Sequence, residues 1–226
     1  MFLIVSGGDA PDPAFLQARA EKARMIIAAD RGAGYCLRAG VRPDVVVGDM
    51  DSISPAARRE AERSGIPFIR HSTEKDKTDT QLALDIALDR GASCIEMLAC
   101  IGDRFDHSLA NVHLLYAALK AGVDAAILTP SHRIFLVDSA AGIEGMKGAL
   151  LSLLPLSLEV RGVCLSGFQW PLKDAVMEMG NPYGISNRVV SEQARICVRE
   201  GVLAAVLFFP EASDGKRHVT EPVPGC

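Results

Sequence analysis

Along the first half of the chain, short and almost wholly apolar runs alternate with longer stretches of helical period. Residues 1–5, 25–29, 45–47, 66–70 and 95–101 are the apolar runs, and runs of that length read as buried strands. Between them, residues 14–22, 35–39, 54–64 and the segments that follow Thr78 and Asp106 read as helices. Ser54 is an N-cap before Pro55, and Gly65 closes that helix. Thr78 to Gln81 fits the S/T-x-x-E/Q capping box, so Asp79 opens a helix. Leu109, Val112, Tyr116 and Leu119 predict the core-facing stripe of the next helix, with Asp106 as its N-cap. Strand and helix in alternation imply βαβ units.

From residue 125 the helical period stops. Short β-rich runs follow at 126–128, 134–137, 149–153, 185–190, 194–198 and 202–209, and residues 194–199 alternate apolar with mostly polar positions. The pattern predicts an N-terminal Rossmann-like, mostly parallel α/β domain over residues 1–124, followed by a C-terminal β-sandwich over 125–226.

Composition narrows the function. The 226 residues are 49% hydrophobic and 23% charged, ordinary for a globular protein with a sizeable core. A net charge of −4 without a basic block argues against nucleic acid and favours small molecules as partners. The apolar start is short for a signal peptide, and no run approaches about 18 apolar residues, so a cytoplasmic protein without a membrane span is expected. Six scattered cysteines, none in a C-x-x-C pair, predict reduced core thiols rather than a zinc site or disulfide frame.

Candidate chemistry centres on Gly48-Asp49-Met50-Asp51-Ser52, just past the 45–47 strand, where open α/β sheets place ligands. In extended backbone Asp49 and Asp51 project to one side, and like charges that close call for a cation between them. An all-oxygen donor set suits Mg²⁺ in phosphate chemistry. The plain alternative is an acidic turn that caps its own amides. Asp79 at a helix start offers a third acid, although the helix dipole alone also accounts for it. Asp30 repeats the pattern of strand, acid and glycine. Lys75, Lys77 and Arg104 lie in polar turns where phosphate oxygens can be met, and His107, near the start of the next helix, suits a plain hydrogen-bonding role or a catalytic one. In the second half, Trp170 and the polar, glycine-rich loop 180–187 suit a heteroaromatic ligand, or are core and loop.

In their order these motifs resemble the thiamine pyrophosphokinase family. The resemblance rests on Ala28-Ala29-Asp30-Arg31-Gly32-Ala33, Pro43-Asp44, Gly48 to Ser52, Glu74 to Asp79, Gly102 to His107 through Asn111, Trp170-Pro171-Leu172 and Gly184 to Asn187. It implies Mg²⁺-dependent transfer of a pyrophosphoryl group from ATP to the hydroxyl of thiamine, and a homodimer with thiamine at the subunit interface. By the same resemblance Asp49, Asp51 and Asp79 are the metal-centred catalytic acids, and Asp30, Lys75, Arg104, Asp106 and His107 surround the nucleotide. Trp170, Ser186 and Asn187 match thiamine-side positions. Arg31, Lys77, Asp103 and Arg188 depart from the family pattern. Rival readings of the D-x-D are a metal-dependent glycosyltransferase, an aspartyl-phosphate phosphatase, or a binding protein without turnover.

Overall fold

The computed structural model of the chain describes residues 1–71 and 76–210, which fall into two compact units, Met1–Pro130 and the part from Ser131 onward. The first unit runs β1 (Phe2–Val5), α1 (Pro13–Ala20), β2 (Met25–Ala29), α2 (Gly32–Arg38), β3 (Val45–Gly48), α3 (Pro55–Arg63), β4 (Phe68–Arg70), α4 (Asp79–Asp89), β5 (Cys94–Leu98), α5 (Phe105–Lys120) and β6 (Asp124–Leu128). Its strands are parallel, in the order β6-β5-β1-β2-β3-β4.

Helices cover both faces of this sheet. Leu3, Val5, Ile26, Ala28 and Val46 pack with Phe15 and Leu16 of α1, Ala33 and Cys36 of α2, and Ala57 and Ala61 of α3. On the other face α4 lies against β1, β2 and β3, with α5 beside it against β6. Strands covered on both faces carry no polar alternation, which explains their unbroken apolar runs. Leu3, Ile4 and Ile27 are fully buried, each stabilising the fold by about 1.5–3 kcal/mol relative to exposure. Gly32 lets α2 start hard against β1, because a Cβ there would lie 2.0 Å from the Val5 carbonyl oxygen.

Ser54 caps α3 by accepting from the Ala57 N–H, and Gly65 follows the helix with φ +64°, as the sequence predicts. Helix α5 departs from expectation. Its buried residues are Ser108, Asn111, Leu115 and Ala118, while Leu109 and Tyr116 are exposed. The inward face is rotated by one position because Ser108 and Asn111 face inward to hydrogen-bond backbone, which a hydrophobic period cannot register. Arg104, not Asp106, occupies the N-cap position. Strand β6 pairs in parallel with β5 and so belongs to the first unit, although its sequence reads as the start of the β-rich half.

The second unit holds β7 (His132–Val137), β8 (Ala140–Glu144), β9 (Leu150–Pro155), β10 (Glu159–Ser166), β11 (Leu172–Glu178), β12 (Asn187–Arg188), β13 (Gln193–Cys197) and β14 (Leu203–Phe208). They pair antiparallel as β12-β9-β14-β7 and β11-β10-β13-β8. Leu151, Leu153, Leu203 and Leu207 of the first set share one buried cluster with Ile143, Val160, Val163, Met177 and Ile196 of the second. Strands β8, β10 and β11 escape sequence reading. Most of β11 is exposed at a sheet edge, and the register of β10 shifts around Gly162, φ +68°, which breaks its alternation. No helix among the described residues is long and apolar enough to cross a membrane.

Candidate active site

The strand order of the first unit reverses between β1 and β5, and such switch points hold ligands beyond the carboxyl ends of the strands. A cavity of about 360 Å³ lies there. Ser6 to Asp9 after β1, Asp30 and Arg31 after β2, Ser52, the start of α4 at Thr78 to Thr80, and Cys100, Gly102 to Arg104, His107, Ser108 and Asn111 line it.

Three carboxylates converge on this cavity region. Asp30, Asp49 and Asp79 each offer an oxygen, and these lie within 4.8 Å of one another. The backbone is shaped for this convergence. Asp30 and Met50 take left-handed φ values of +43° and +70°, conformations that non-glycine residues adopt only when surrounding structure holds them. Gly48, φ +143°, has no room for a side chain, since a Cβ would lie 2.9 Å from the Asp79 Oδ1 and 3.1 Å from the Asp30 Cβ. Gly48→Ala is therefore expected to push Asp79 out of line and lower kcat by about 10²-fold, the scale at which ångström-level misplacement acts, with steady-state kinetics as the check.

Thr78 caps α4 by accepting from the Gln81 N–H, which fixes the first turn that carries Asp79. Thr78→Ala is expected to cost about 1 kcal/mol of stability, measured by urea unfolding. Thr80 ties the same turn to the end of β1 through a buried contact of 2.5 Å with the Ser6 hydroxyl.

Asp30 is the most buried of the three acids. Its Oδ2 accepts from the Ser52 N–H at 3.1 Å, while its Oδ1 is buried with no hydrogen-bond partner among the described residues. Burial, only partly offset by that Ser52 bond and reinforced by the charges of Asp79 and Asp51, pushes its pKa up from 3.8 to about 6. A raised folded pKa stabilises the fold fully at low pH, and that contribution is lost as pH climbs from about 4 to about 6. At neutral pH a buried carboxylate with an unpaired oxygen and two acidic neighbours suits a hard divalent cation.

The sequence pattern and the family resemblance place Asp51, not Asp30, beside Asp49 and Asp79. Asp51 lies outside the 4.8 Å cluster and is exposed, its N–H donating to Asp49 Oδ1 and its Oδ1 accepting from the Ser52 hydroxyl. The reversal at Met50 breaks the extended spacing on which a common side for Asp49 and Asp51 depends. The charge of Asp51 still reaches Asp30.

Arg104 and His107 line the cavity. Asp106 does not; it grips Arg104 at 2.9 and 2.6 Å through Nε and Nη2, leaving the Nη1 donors outside that pair. The Arg104 bond holds the Asp106 carboxyl down at about 2. Ser108 closes the Gly102–Arg104 turn by accepting from the Gly102 N–H, and Asn111 donates to the Cys100 carbonyl at 2.7 Å. Ser6, Thr80 and Ser108 went unmarked in the sequence, where hydroxyls beside glycine and capping residues read as ordinary turn chemistry. Lys75 lies outside the described residues.

In the second unit Asn187 is buried and clamps the backbone of Trp170. Its Oδ1 accepts from the Trp170 N–H at 3.1 Å, and its amide donates to the Trp170 carbonyl at 2.7 Å. Trp170 is left 56% exposed, and Ser186 takes φ +60° with its N–H donating to Ser152 Oγ. The three thiamine-side candidates thus form one neighbourhood within the second unit.

Residues 16–127 match the family model described as "Thiamin pyrophosphokinase, catalytic domain", and residues 132–203 match "Thiamin pyrophosphokinase, vitamin B1 binding domain". The chain belongs to the thiamin pyrophosphokinase family. Among its relatives, a thiamine pyrophosphokinase of Bacillus subtilis is 29% identical over 90% of this chain and 96% of its own length. Thiamine pyrophosphokinase 1 of Oryza sativa subsp. japonica is 25% identical over 81% of this chain and 79% of its own. The crystal structure of the thiamine pyrophosphokinase from Bacillus subtilis superposes with a TM-score of 0.84 at 27% identity, covering 93% of this chain and 99% of that one. That of the thiamin pyrophosphokinase from Geobacillus thermodenitrificans gives 0.80 at 26% identity, covering 94% and 99%.

Proposed function

We propose that the cavity at the β1/β5 switch point holds ATP with a divalent cation at Asp30, Asp49 and Asp79, with Asp51 at the rim of the same site. As a family member the chain transfers the pyrophosphoryl group of ATP to the hydroxyl of thiamine, giving thiamine diphosphate and AMP. The observation that carries the metal reading is the converging acid cluster with the unpartnered, buried Oδ1 of Asp30. Mg²⁺ is the cation that the all-oxygen donor set favours, and when bound it offsets the negative charge of the phosphate oxygens.

The chain's own groups do the positioning. Arg104, oriented by its paired bond to Asp106, offers its remaining donors to a phosphate oxygen. His107, in the first turn of α5 on the same wall, adds a hydrogen-bonding partner for the nucleotide. Lys75 is assigned to the nucleotide by its place in the family motif. A carboxylate of the acid cluster accepts the proton of the thiamine hydroxyl as its oxygen bonds to the β-phosphorus and the bond from that phosphorus to the bridging oxygen breaks, releasing AMP. Trp170, Ser186 and Asn187 are assigned to thiamine, the exposed indole offering a flat face to its rings and the Asn187 clamp holding that face in place.

On this reading the first unit is a Rossmann-like nucleotide- and metal-binding catalytic domain. The second is a β-sandwich that binds thiamine and pairs two copies into a cytoplasmic homodimer. Incubation with ATP, Mg²⁺ and thiamine is the test, with AMP and thiamine diphosphate as expected products. ADP with thiamine monophosphate, or a trapped aspartyl phosphate, would contradict it.

A further inference from the structure

We propose that Cys164 and Cys197 form a redox-active dithiol on the outer face of the second unit, a modification site that a low-molecular-weight disulfide converts into a cross-strand bridge. The two residues face each other directly in the antiparallel pairing of β10 with β13. Their neighbours Leu165 and Ile196, also paired, are buried in the core, so strand alternation places both thiols on the opposite, outer face. Both are free and only half-buried. Directly opposed residues of an antiparallel ladder have Cα atoms about 4.5–5.5 Å apart, inside the span of about 4.4–6.8 Å that a disulfide requires.

The surroundings favour reaction. The Sγ of Cys164 accepts the Asp174 N–H at 3.3 Å, and Asp174 takes a left-handed φ of +50° where it does so. The Asp174 carboxylate in turn anchors Arg199 at 2.7 Å, and the Arg199 cation lies close enough to Cys164 for the two to interact electrostatically. A half-exposed sulfur held by a donated N–H, opposite a second thiol on the neighbouring strand, is open to exchange with a small disulfide. Cys36 and Cys100 are the internal contrast: buried in the first unit, their thiols are pushed up to about 12 and stay protonated.

One protein thiolate attacks the small disulfide, giving a mixed disulfide and one released thiolate. The second protein thiolate then displaces the other half. The protein gives up two protons and two electrons, and the oxidant leaves as two thiols.

The full chain, incubated at neutral pH with oxidised glutathione, acid-quenched, alkylated and digested without reduction, gives the test. The expected result is loss of the Cys164 and Cys197 thiols, with their peptides recovered joined, lighter by two hydrogen atoms and separable by dithiothreitol. Cys36 and Cys100 stay unmodified until the chain is unfolded. In Cys164→Ser, Cys197 is expected to accumulate as its glutathione mixed disulfide, because the resolving thiol is gone. Both thiols surviving conditions that oxidise a dithiol control peptide would overturn the proposal. So would a bridge from either cysteine to Cys226 forming as fast as the cross-strand one.

Discussion

Replacing Asp79 with asparagine is expected to lower kcat/KM by about 10³-fold, equivalent to about 4 kcal/mol of transition-state stabilisation. Asparagine keeps the shape of the side chain and leaves the Thr78 cap intact, so what is removed is one of three charges within 4.8 Å. The folded state is expected to change little. Losing an acid from the first turn of α4 costs about 0.3–1 kcal/mol through the helix dipole, and relief of the repulsion with Asp30 opposes that cost. Mn²⁺ affinity, followed by its electron paramagnetic resonance signal without substrate, should fall at least about tenfold, by at least about 1.4 kcal/mol. A variant that keeps both its Mn²⁺ affinity and its kcat would remove Asp79 from the site and from the proton-accepting role.

The largest stability effect is expected at a pair that does not line the cavity. Arg19 of α1 and Glu96 of β5 are each 2% exposed and bond through two donors, one of them Nε to Oε2 at 2.7 Å. Glu96 lies on the same sheet face as Leu98, in the layer that packs under α1 to α3. Glu96→Ala leaves a guanidinium buried without its counter-charge, and breaking such a pair costs about 3–5 kcal/mol. Urea unfolding of the first unit should show a loss in that range. The double replacement Arg19→Met with Glu96→Leu should recover most of it, because apolar groups of similar volume remove both desolvation penalties. A single variant as stable as the parent would mean that water reaches the pair.

The parallel sheet was legible because strands covered on both faces become unbroken apolar runs, as in 25–29 and 45–47. Caps were legible too, since Ser54 and Thr78 use local chemistry. Legibility failed where polar side chains face inward. Ser108 and Asn111 turn α5 by one position, and Glu96 sits in a strand that reads as apolar because its partner is 77 residues away. The acids of the site were legible as a set but not as a geometry. The D-x-D spacing paired Asp49 with Asp51, whereas the positive φ of Met50 sends Asp51 outward and Asp30 arrives from the neighbouring strand. Edge strand β11, exposed and charged, carries too little alternation to be found without its partner.

On the proposed function, the carboxylates that follow β2 and β3 and the one that opens α4 gather to hold a divalent ion that carries ATP. A crystal structure of the protein with Mg²⁺ and a non-hydrolysable ATP analogue tests it most directly. The account predicts a cation at about 2.0–2.1 Å from carboxylate oxygens of at least two of Asp30, Asp49 and Asp79, touching a phosphate oxygen of the analogue. Nucleotide and cation bound elsewhere on the chain, with these three acids bare, would contradict it.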